Sequence, residues 1–194
     1  VGLSRSTFYK YKDYVFLTNG LNSKKANVLV KMKEKGLDFN YNIAPDLPEI
    51  LYGDHANIKK IITNLLSNAC KYTSKGFVNY DVSCYNVNGI CKLIISVEDS
   101  GRGIKKENVD KLLTKFQRLE EDRNTTIEGT GLGLVITKKY VDSMDGKIWF
   151  ESEYQVGTTF YIEIPQKVID STPLKNLNKE EYVSQSPQFD CIDK

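Results

Sequence analysis

The chain has 194 residues, a formal net charge of +2 and an apolar content of 40%. This length suits one domain with tails and allows a sizeable buried core. The small net charge excludes a global field that would attract nucleic acid or an acidic membrane, so we expect no nucleic-acid partner. No apolar run reaches the roughly 18 residues of a membrane span, and the N-terminus lacks the apolar segment of a secretory signal.

The four cysteines are scattered without a C-x-x-C pair: Cys70, Cys84, Cys91 and Cys191. With His55 as the single histidine of the chain, this pattern does not favour a zinc site. Reduced thiols are a simpler interpretation than disulfides or metal ligands. We therefore expect a cytoplasmic location.

The first predicted elements are a helix and a strand. Residues 1–20 show no clean periodicity, and residues 21–35 read as a helix that ends at Gly36, a residue type favoured just past helix ends. Apolar side chains then alternate with polar ones over residues 37–43. This alternation predicts a half-buried strand, which we expect to end at the following prolines.

The second helix is predicted to begin at Asp54, which is placed to cap the first turn. Its apolar residues recur at helical spacing and form one broad face: Ile58, Ile61, Ile62, Leu65, Leu66 and Ala69. Two strand-like runs at 77–85 and 91–97 then flank Asn88-Gly89. This dipeptide favours a tight hairpin because both positions tolerate positive φ.

The second half of the chain continues with a polar segment at 104–128, which predicts a functional lid or a disordered loop. A third helix over 132–144 and two strands at 147–153 and 158–164 follow. About five strands and three helices without regular alternation predict an α+β fold, with a mixed sheet covered on one face by helices. Residues 166–194 are polar and read as a linker or tail.

Three short motifs carry most of the functional information. They are NLLSNACKYT at 64–73, VEDSGRGI at 97–104 and GTGLGL at 129–134. In this order and at these spacings they resemble the N, G1 and G2 boxes of histidine kinases, whose ATP-binding domain is shared with gyrase, heat-shock chaperones and mismatch-repair ATPases (the GHKL superfamily). The resemblance covers about residues 37–165. It implies a two-layer α/β sandwich of the Bergerat type, with a mixed sheet of about five strands and three helices on one face.

The resemblance also implies a division of the chain. Residues 21–165 correspond to the catalytic ATP-binding domain, and residues 166–194 to a polar linker or tail. Residues 1–20 are interpreted as a remnant of the connection to a missing dimerisation and phosphoacceptor hairpin. In the family the acceptor is a histidine followed by an acidic residue, whereas His55 precedes Ala56. We therefore expect the acceptor histidine on a separate domain.

Asp99 is the residue best suited to recognise adenine. A carboxylate accepts hydrogen bonds, so it can pair with the exocyclic amine of adenine, whereas guanine presents an oxygen there. A buried site of this kind discriminates by a factor of roughly 10⁴ or more. The resemblance assigns this role to Asp99 and places Gly101, Gly103 and Ile104 in the same ATP-binding loop. Taken alone, the segment is also an ordinary Asp-Ser-Gly turn.

The N-box resemblance implies roles for four residues of the second helix. Mg²⁺ prefers hard oxygen ligands, and Asn68 is the implied magnesium ligand, while Lys71 and Tyr72 are expected to contact phosphate and adenine. Asn64 occupies a catalytic position, where hydrolysing members of the superfamily carry a glutamate as general base. An amide cannot take a proton, so Asn64 favours a kinase over an ATPase. A solvated polar helix face is the alternative interpretation of these side chains.

The remaining implied contacts concern the phosphates. The G2 motif precedes a helix, whose free N-terminal amides form an anion site, and ATP contacts are implied for Gly129, Thr130, Gly131, Leu132, Gly133 and Leu134. The segment KFQR at 115–118 resembles the F box. There Phe116 would anchor the lid, and Arg118, as a catalytic residue, and Lys115 would reach the γ-phosphate, although a solvated basic face is an alternative. Thr158 would support the adenine site.

The resemblance thus implies the catalytic domain of a two-component sensor histidine kinase, which binds Mg²⁺ and ATP and phosphorylates a histidine on another domain. The implied partners are the phosphoacceptor and dimerisation domain of the parent kinase and the receiver domain of a response regulator. We expect a homodimeric parent and a monomeric isolated chain. Two alternatives stay open: a catalytically degenerate nucleotide-binding regulatory module, and a GHKL ATPase or anti-sigma serine kinase.

Overall fold

The computed structural model describes residues 7–10, 28–109, 111–112 and 132–173. In these residues, seven strands form one mixed sheet, and helices pack on one of its faces. The helices are α1 (Val28–Glu34), α2 (His55–Tyr72) and α3 (Leu132–Asp142). The strands are β1 (Thr7–Lys10), β2 (Asp38–Ile43), β3 (Pro48–Gly53), β4 (Phe77–Val87), β5 (Ile90–Asp99), β6 (Lys147–Glu153) and β7 (Gly157–Pro173). This arrangement confirms the predicted two-layer α+β fold.

Strand β7 is the longest strand and pairs with three others, β3, β5 and β6. The strand order is β1-β3-β7-β5-β4-β2, and β6 pairs with β7 off this path. The first part of β7 pairs with β6 and its last part with β3, while β5 lies along its other edge. Strands β2 and β4 are parallel, and the other pairs are antiparallel. Strand β5 is therefore held between two long neighbours up to its last residue.

Helix α2 supplies much of the helical side of the core. Its N-cap is Asp54, whose side chain accepts a hydrogen bond from the Asn57 backbone N–H at 3.0 Å, as predicted. All residues of the predicted apolar face are buried. They pack in one cluster with side chains from the inner face of the sheet, among them Leu93, Ile95 and Ile162. At the other end of α2, Lys35 Nζ donates to the carbonyl oxygens of Cys70 and Thr73.

The predicted hairpin is confirmed. Asn88 and Gly89 adopt φ values of +50° and +79°, and they connect β4 to β5 in the two-residue loop that this dipeptide favours. The two strands are longer than expected, because pairing runs from Val87 opposite Ile90 to Val78 opposite Asp99. The hairpin thus carries the chain directly to the residue predicted to recognise adenine.

The sheet has more strands than the five that were expected. Strand β1 lies within residues 1–20, and β3 begins at Pro48, where the sequence predicted only the end of a strand. Proline is tolerated as the first residue of a strand. Strand β7 continues past Pro165 to Pro173. Because β6 pairs with β7 up to Glu163 and β3 pairs with it from Lys167, Pro165 lies where one edge of β7 has no paired neighbour.

The helices and the predicted lid differ from expectation in their bounds. Of the predicted helix 21–35, residues 28–35 are described and the helix there spans Val28–Glu34, and the helix predicted over 132–144 ends at Asp142. In the segment 104–128, residues 106–109 form a helical turn, whereas 110 and 113–128 lie outside the described residues. Within the described ranges, no helix has both the length and the apolar character needed to cross a membrane.

Replacing the N-cap residue tests the role of Asp54 in α2. We expect Asp54→Ala to lower the free energy of unfolding by about 1 kcal/mol, because the first turn loses the acceptor for its free amide. The control is Glu34→Ala, which removes an exposed carboxylate and should change stability by less than about 0.5 kcal/mol. Denaturant titration measures both values, and equal losses would contradict the capping role.

Candidate nucleotide-binding site

The carboxylate of Asp99 lies buried at the end of β5, with 7% of the residue exposed. Its Oδ1 accepts hydrogen bonds from the Gly101 backbone N–H at 2.9 Å and from Thr73 Oγ1 at 3.4 Å. Burial raises the pKa of Asp99 above its ordinary value, although the bonds from Gly101 and Thr73 counteract part of this shift. Its second oxygen, Oδ2, receives no hydrogen bond from the described part of the chain. The group therefore keeps acceptor capacity for a ligand.

The loop after Asp99 fits only because it contains glycines. A Cβ at Gly101 would lie 2.6 Å from both Asp99 Oδ1 and the Tyr72 carbonyl oxygen. A Cβ at Gly103, where φ is +61°, would lie 1.9 Å from the Glu153 carbonyl oxygen. Real Cβ atoms do not approach other atoms this closely. The two glycines of the G1 motif thus let the loop pass between the end of α2 and the β6–β7 turn.

Ser152 connects this loop to the last two strands. Its hydroxyl accepts a hydrogen bond from the Ile104 backbone N–H at 2.9 Å and lies 2.9 Å from Thr158 Oγ1. Thr158 is buried and stands directly opposite Asp99 in the β5–β7 register. The predicted residues Asp99, Gly103, Ile104 and Thr158 therefore come together. Thr158 was predicted from the sequence, but Ser152 was not, because its contribution depends on strand pairing.

The two N-box asparagines are both half-buried on α2, but they differ in their contacts. Asn64 Nδ2 donates to Thr137 Oγ1 on α3 at 2.8 Å. A Cβ at Gly133 would lie 2.5 Å from Asn64 Oδ1. Asn64 thus connects α2 to the start of α3 through its hydrogen bond to Thr137 and its close approach to Gly133. The amide of Asn68 makes no hydrogen bond to the described residues, so its oxygen is available as a hard ligand.

A cluster of positive charge surrounds Tyr72 at the end of α2. The ring is 41% exposed, with Lys71 Nζ 5.1 Å and Arg102 Cζ 4.8 Å from its centroid. The Arg102 backbone N–H also donates to the Tyr72 carbonyl oxygen at 3.3 Å. Each cation–π contact at an exposed site contributes about 0.5–1 kcal/mol. Lys71 and Tyr72 were predicted from the sequence, but Arg102, which reaches the ring from the G1 loop, was not.

A groove at the same strand ends is lined by residues from both faces of the sheet. Glu98, Glu151 and Glu153 line it on the outer face, whereas Asp99, Ser152 and Thr158 belong to the inner face. Glu98 and Asp99 are neighbours on one strand, so their side chains point to opposite faces. An acidic groove repels a triphosphate. The side of the sheet covered by α2 and α3 is therefore the better candidate for a nucleotide.

Several predicted site residues lie outside the part of the chain that the structure describes: Lys115, Phe116, Arg118, Gly129, Thr130 and Gly131. Leu132 is the first residue of α3. Gly133 and Leu134 are half-buried in its first turn. Among the described residues, no group of three or more His, Cys, Asp or Glu side chains could hold a metal ion.

Alanine at Gly103 and at Gly36 separates steric overlap from backbone strain. Both glycines have positive φ, but a Cβ at Gly36 meets nothing within 4 Å. We expect Gly36→Ala to cost about 1–2 kcal/mol, the strain of a left-handed residue. Gly103→Ala should cost at least ~1 kcal/mol more, because its Cβ overlaps the backbone of Glu153. Denaturant unfolding compares the two variants, and equal costs would refute the tight approach at Gly103.

The raised pKa of Asp99 predicts a pH-dependent stability. The folded chain holds the Asp99 proton more tightly than the unfolded chain, so stability falls as the pH rises from 3.8, the ordinary pKa, through the raised pKa,. Asp99→Asn removes this titration. The ligand-free wild type should therefore lose stability relative to Asp99→Asn as the pH rises towards neutral, as measured by denaturant unfolding across a pH series. A wild type that gains stability relative to the variant would contradict the burial effect.

The chain is similar to known proteins in sequence and in fold. Residues 53–168 match the family described as histidine kinase-, DNA gyrase B-, and HSP90-like ATPase. A hybrid signal transduction histidine kinase B from Dictyostelium discoideum is 36% identical over 159 residues, which are 80% of this chain and 8% of that protein.

Two solved structures share the fold. The catalytic domain of histidine kinase ThkA has a TM-score of 0.59 and 27% identity, over 84% of this chain and 99% of that one. Full-length ShkA in complex with AMPPNP has a TM-score of 0.63 and 22% identity, over 84% of this chain and 32% of that one. Because the family match spans more than half of the sequence, the chain belongs to the family of histidine kinase-, DNA gyrase B-, and HSP90-like ATPases.

Proposed function

We propose that this chain is the ATP-binding catalytic domain of a two-component sensor histidine kinase. In this role it binds Mg-ATP and transfers the γ-phosphate to a histidine on a separate phosphoacceptor domain. The observation that carries the proposal is the buried carboxylate of Asp99, which keeps acceptor capacity at the end of β5 in a chain of this ATPase family. A buried acceptor of this kind favours a ligand that presents an amine, as adenine does.

The residues around Asp99 take roles in holding the nucleotide. Asp99 accepts a hydrogen bond from the exocyclic amine of adenine, and Thr158 supports this pocket from the opposite strand. Tyr72 packs near the base, and its ring is held by Lys71 and Arg102. Lys71 is also placed to attract phosphate. These contacts bind and orient ATP before any group is transferred.

Asn68 is the residue that would hold Mg²⁺. Its amide oxygen is a hard ligand, and Mg²⁺ typically takes one or two protein ligands and completes its shell with phosphate and water oxygens. The absence of a hydrogen bond from the described residues to the Asn68 amide fits this role. When bound, the ion would neutralise charge on the phosphates.

Asn64 supports transfer to another nucleophile over hydrolysis. Its amide has no basic site that could take a proton from water. In addition, its Nδ2 is engaged with Thr137 on α3. The site therefore lacks a general base at this position, so a bound ATP would persist until an acceptor histidine arrives.

The remaining assignments rest on the motifs. We propose that Gly129, Thr130 and Gly131 bind phosphate before α3, that Phe116 anchors a lid, and that Arg118 and Lys115 contact the γ-phosphate. The partners would be a phosphoacceptor and dimerisation domain and a receiver domain, in a homodimeric, cytoplasmically exposed kinase. The Dictyostelium relative is named as a hybrid kinase, and this chain spans only a small part of it. Residues 21–165 would form the catalytic unit.

Calorimetric titration with ATP and GTP, with and without Mg²⁺, tests the binding site. We expect wild type to prefer ATP by a factor of roughly 10⁴ or more, and Asp99→Asn to lose most of this preference because it exchanges an acceptor-only group for an amide. The matched control is Glu98→Gln, which neutralises the neighbouring carboxylate on the other face of the sheet and should leave the preference intact. A folded wild type without ATP binding would refute the proposal.

Transfer of labelled γ-phosphate to an added phosphoacceptor domain tests the reaction. Acid-labile label on the acceptor is the expected result, because phosphohistidine is hydrolysed in acid. Acid-stable label on serine would identify an anti-sigma kinase instead. Steady release of phosphate by the isolated chain would identify an ATPase, and ATP binding without either reaction would identify a regulatory module.

A further inference from the structure

Lys35 follows directly after α1, and the backbone around it is held by two hydrogen bonds. The Gly36 N–H donates to the Lys33 carbonyl oxygen at 2.9 Å. The Leu37 N–H donates to the Met32 carbonyl oxygen, also at 2.9 Å. With Gly36 at a φ of +68°, these bonds form a Schellman motif. Because Met32 and Leu37 are buried, the motif is anchored in the core, and the side chain of Lys35 starts from a fixed point.

The ammonium group of Lys35 joins two carbonyl groups at the C-terminal end of α2. Its Nζ donates to the carbonyl oxygen of Cys70 and, at 3.1 Å, to that of Thr73. Cys70 belongs to the last turn of the helix, whereas Thr73 is the C-cap, with an extended backbone at φ −102° and ψ 124°. A cation is favoured at this end of a helix. One side chain thus holds both the last helical turn and the first extended residue after it.

The G1 loop holds the same stretch of backbone from another direction. The Arg102 N–H donates to the Tyr72 carbonyl oxygen at 3.3 Å, and the Thr73 N–H donates to the Ala69 carbonyl oxygen at 3.0 Å. The last carbonyl groups of a helix need such donors from outside their own ladder. Lys35 therefore supplies, from a position outside the three motifs, donors that complement the one from the G1 loop.

Thr73 connects this backbone to the carboxylate of Asp99. Thr73 is fully buried, at 0% exposure, and its Oγ1 donates to Asp99 Oδ1 at 3.4 Å. A Cβ at Gly101 would lie 2.8 Å from Thr73 Oγ1, so the hydroxyl also packs against the G1 loop. The route from Lys35 to Asp99 consequently has two steps. The ammonium binds the Thr73 carbonyl, and the Thr73 hydroxyl binds the carboxylate.

We propose that Lys35 is a positioning residue of the nucleotide site, which fixes the end of α2 and, through Thr73, the orientation of the Asp99 carboxylate. This inference rests on the proposed function, because it concerns how the same pocket recognises adenine. A binding group discriminates well only when neighbouring residues restrict its rotamer. A lysine that merely stabilises the helix end would change stability without changing the recognition of the base.

Replacing Lys35 separates these two roles. Lys35→Met removes the ammonium group and keeps a side chain of similar size. The probes are ATP and purine riboside triphosphate, which lacks the exocyclic amine. We expect Lys35→Met to weaken ATP binding by about 10-fold, the order of one hydrogen bond to a charged group, and to weaken binding of the analogue much less. Equal weakening of both nucleotides would overturn the proposal.

Two further variants serve as controls in the same calorimetric titration. Lys35→Arg keeps a cation with several donors, so it should restore most of the ATP affinity that Lys35→Met loses. Lys33→Met removes an exposed charge two residues away. Because the Schellman motif uses only the carbonyl group of Lys33, this variant should bind ATP as wild type does. A loss of ATP affinity as large in Lys33→Met as in Lys35→Met would overturn the specific role of Lys35.

A double-mutant cycle tests the route through Thr73. Thr73→Val removes the hydroxyl and keeps the shape of the side chain. If Lys35 acts through this hydroxyl, Lys35→Met should cost much less ATP affinity in the Thr73→Val background than in wild type. Full additivity of the two changes would contradict the route, and circular dichroism checks that each variant is folded.

Nuclear magnetic resonance tests Lys35 without a nucleotide. The Gly101 N–H donates to Asp99 Oδ1 at 2.9 Å, so its amide resonance reports on the carboxylate in the ligand-free chain. Lys35→Met should shift this resonance more than Lys33→Met does, and an unchanged resonance would overturn the inference. A wild type that binds no nucleotide would refute the proposed function, whereas the Gly101 resonance would still decide whether Lys35 positions Asp99.

Discussion

The buried carboxylate of Asp99 is the constraint around which this end of the molecule is arranged. Removing a carboxylate from water is unfavourable unless hydrogen bonds replace its hydration. The Gly101 N–H and the Thr73 hydroxyl supply two donors to Oδ1, but burial still raises the pKa of the group. The ligand-free pocket is therefore incompletely satisfied. In the proposed function, a nucleotide that donates a hydrogen bond would relieve this cost, so the same feature that lowers stability would create affinity.

The sheet holds this carboxylate in place with little freedom. Strand β5 pairs along its length with β4 on one side and β7 on the other, and both ladders run to Asp99. Ile95 and Ile162, on the inner face of these strands, are fully buried. A functional group on a central, doubly paired strand is positioned more exactly than one on a loop. The chain leaves the paired strands at the glycine-rich turn after Asp99.

Local signals in the sequence predicted the elements that form this frame. These signals are the N-cap at Asp54, the apolar stripe of α2 and the Asn88-Gly89 turn. Each depends on residues close together in sequence, so each can be recognised without knowledge of the fold. Strand β3 and the extension of β7 beyond Pro165 depend on partners distant in sequence. Ser152 likewise lies in none of the motifs, and Arg102 lies within VEDSGRGI without a role implied by the resemblance. Their contacts exist only because strand pairing and the G1 loop bring them to Thr158 and Tyr72.

The contact between Asn64 and Gly133 changes how the G2 glycines are understood. A glycine-rich motif before a helix is normally explained by the approach of phosphate to backbone amides. Gly133, however, has the Asn64 amide where its Cβ would lie, and Asn64 is fixed there by its bond to Thr137. This third glycine is therefore required by helix packing, whatever the motif does for phosphate. The N box and the G2 box are thus coupled mechanically, because the Asn64 side chain also sets how closely α3 approaches α2.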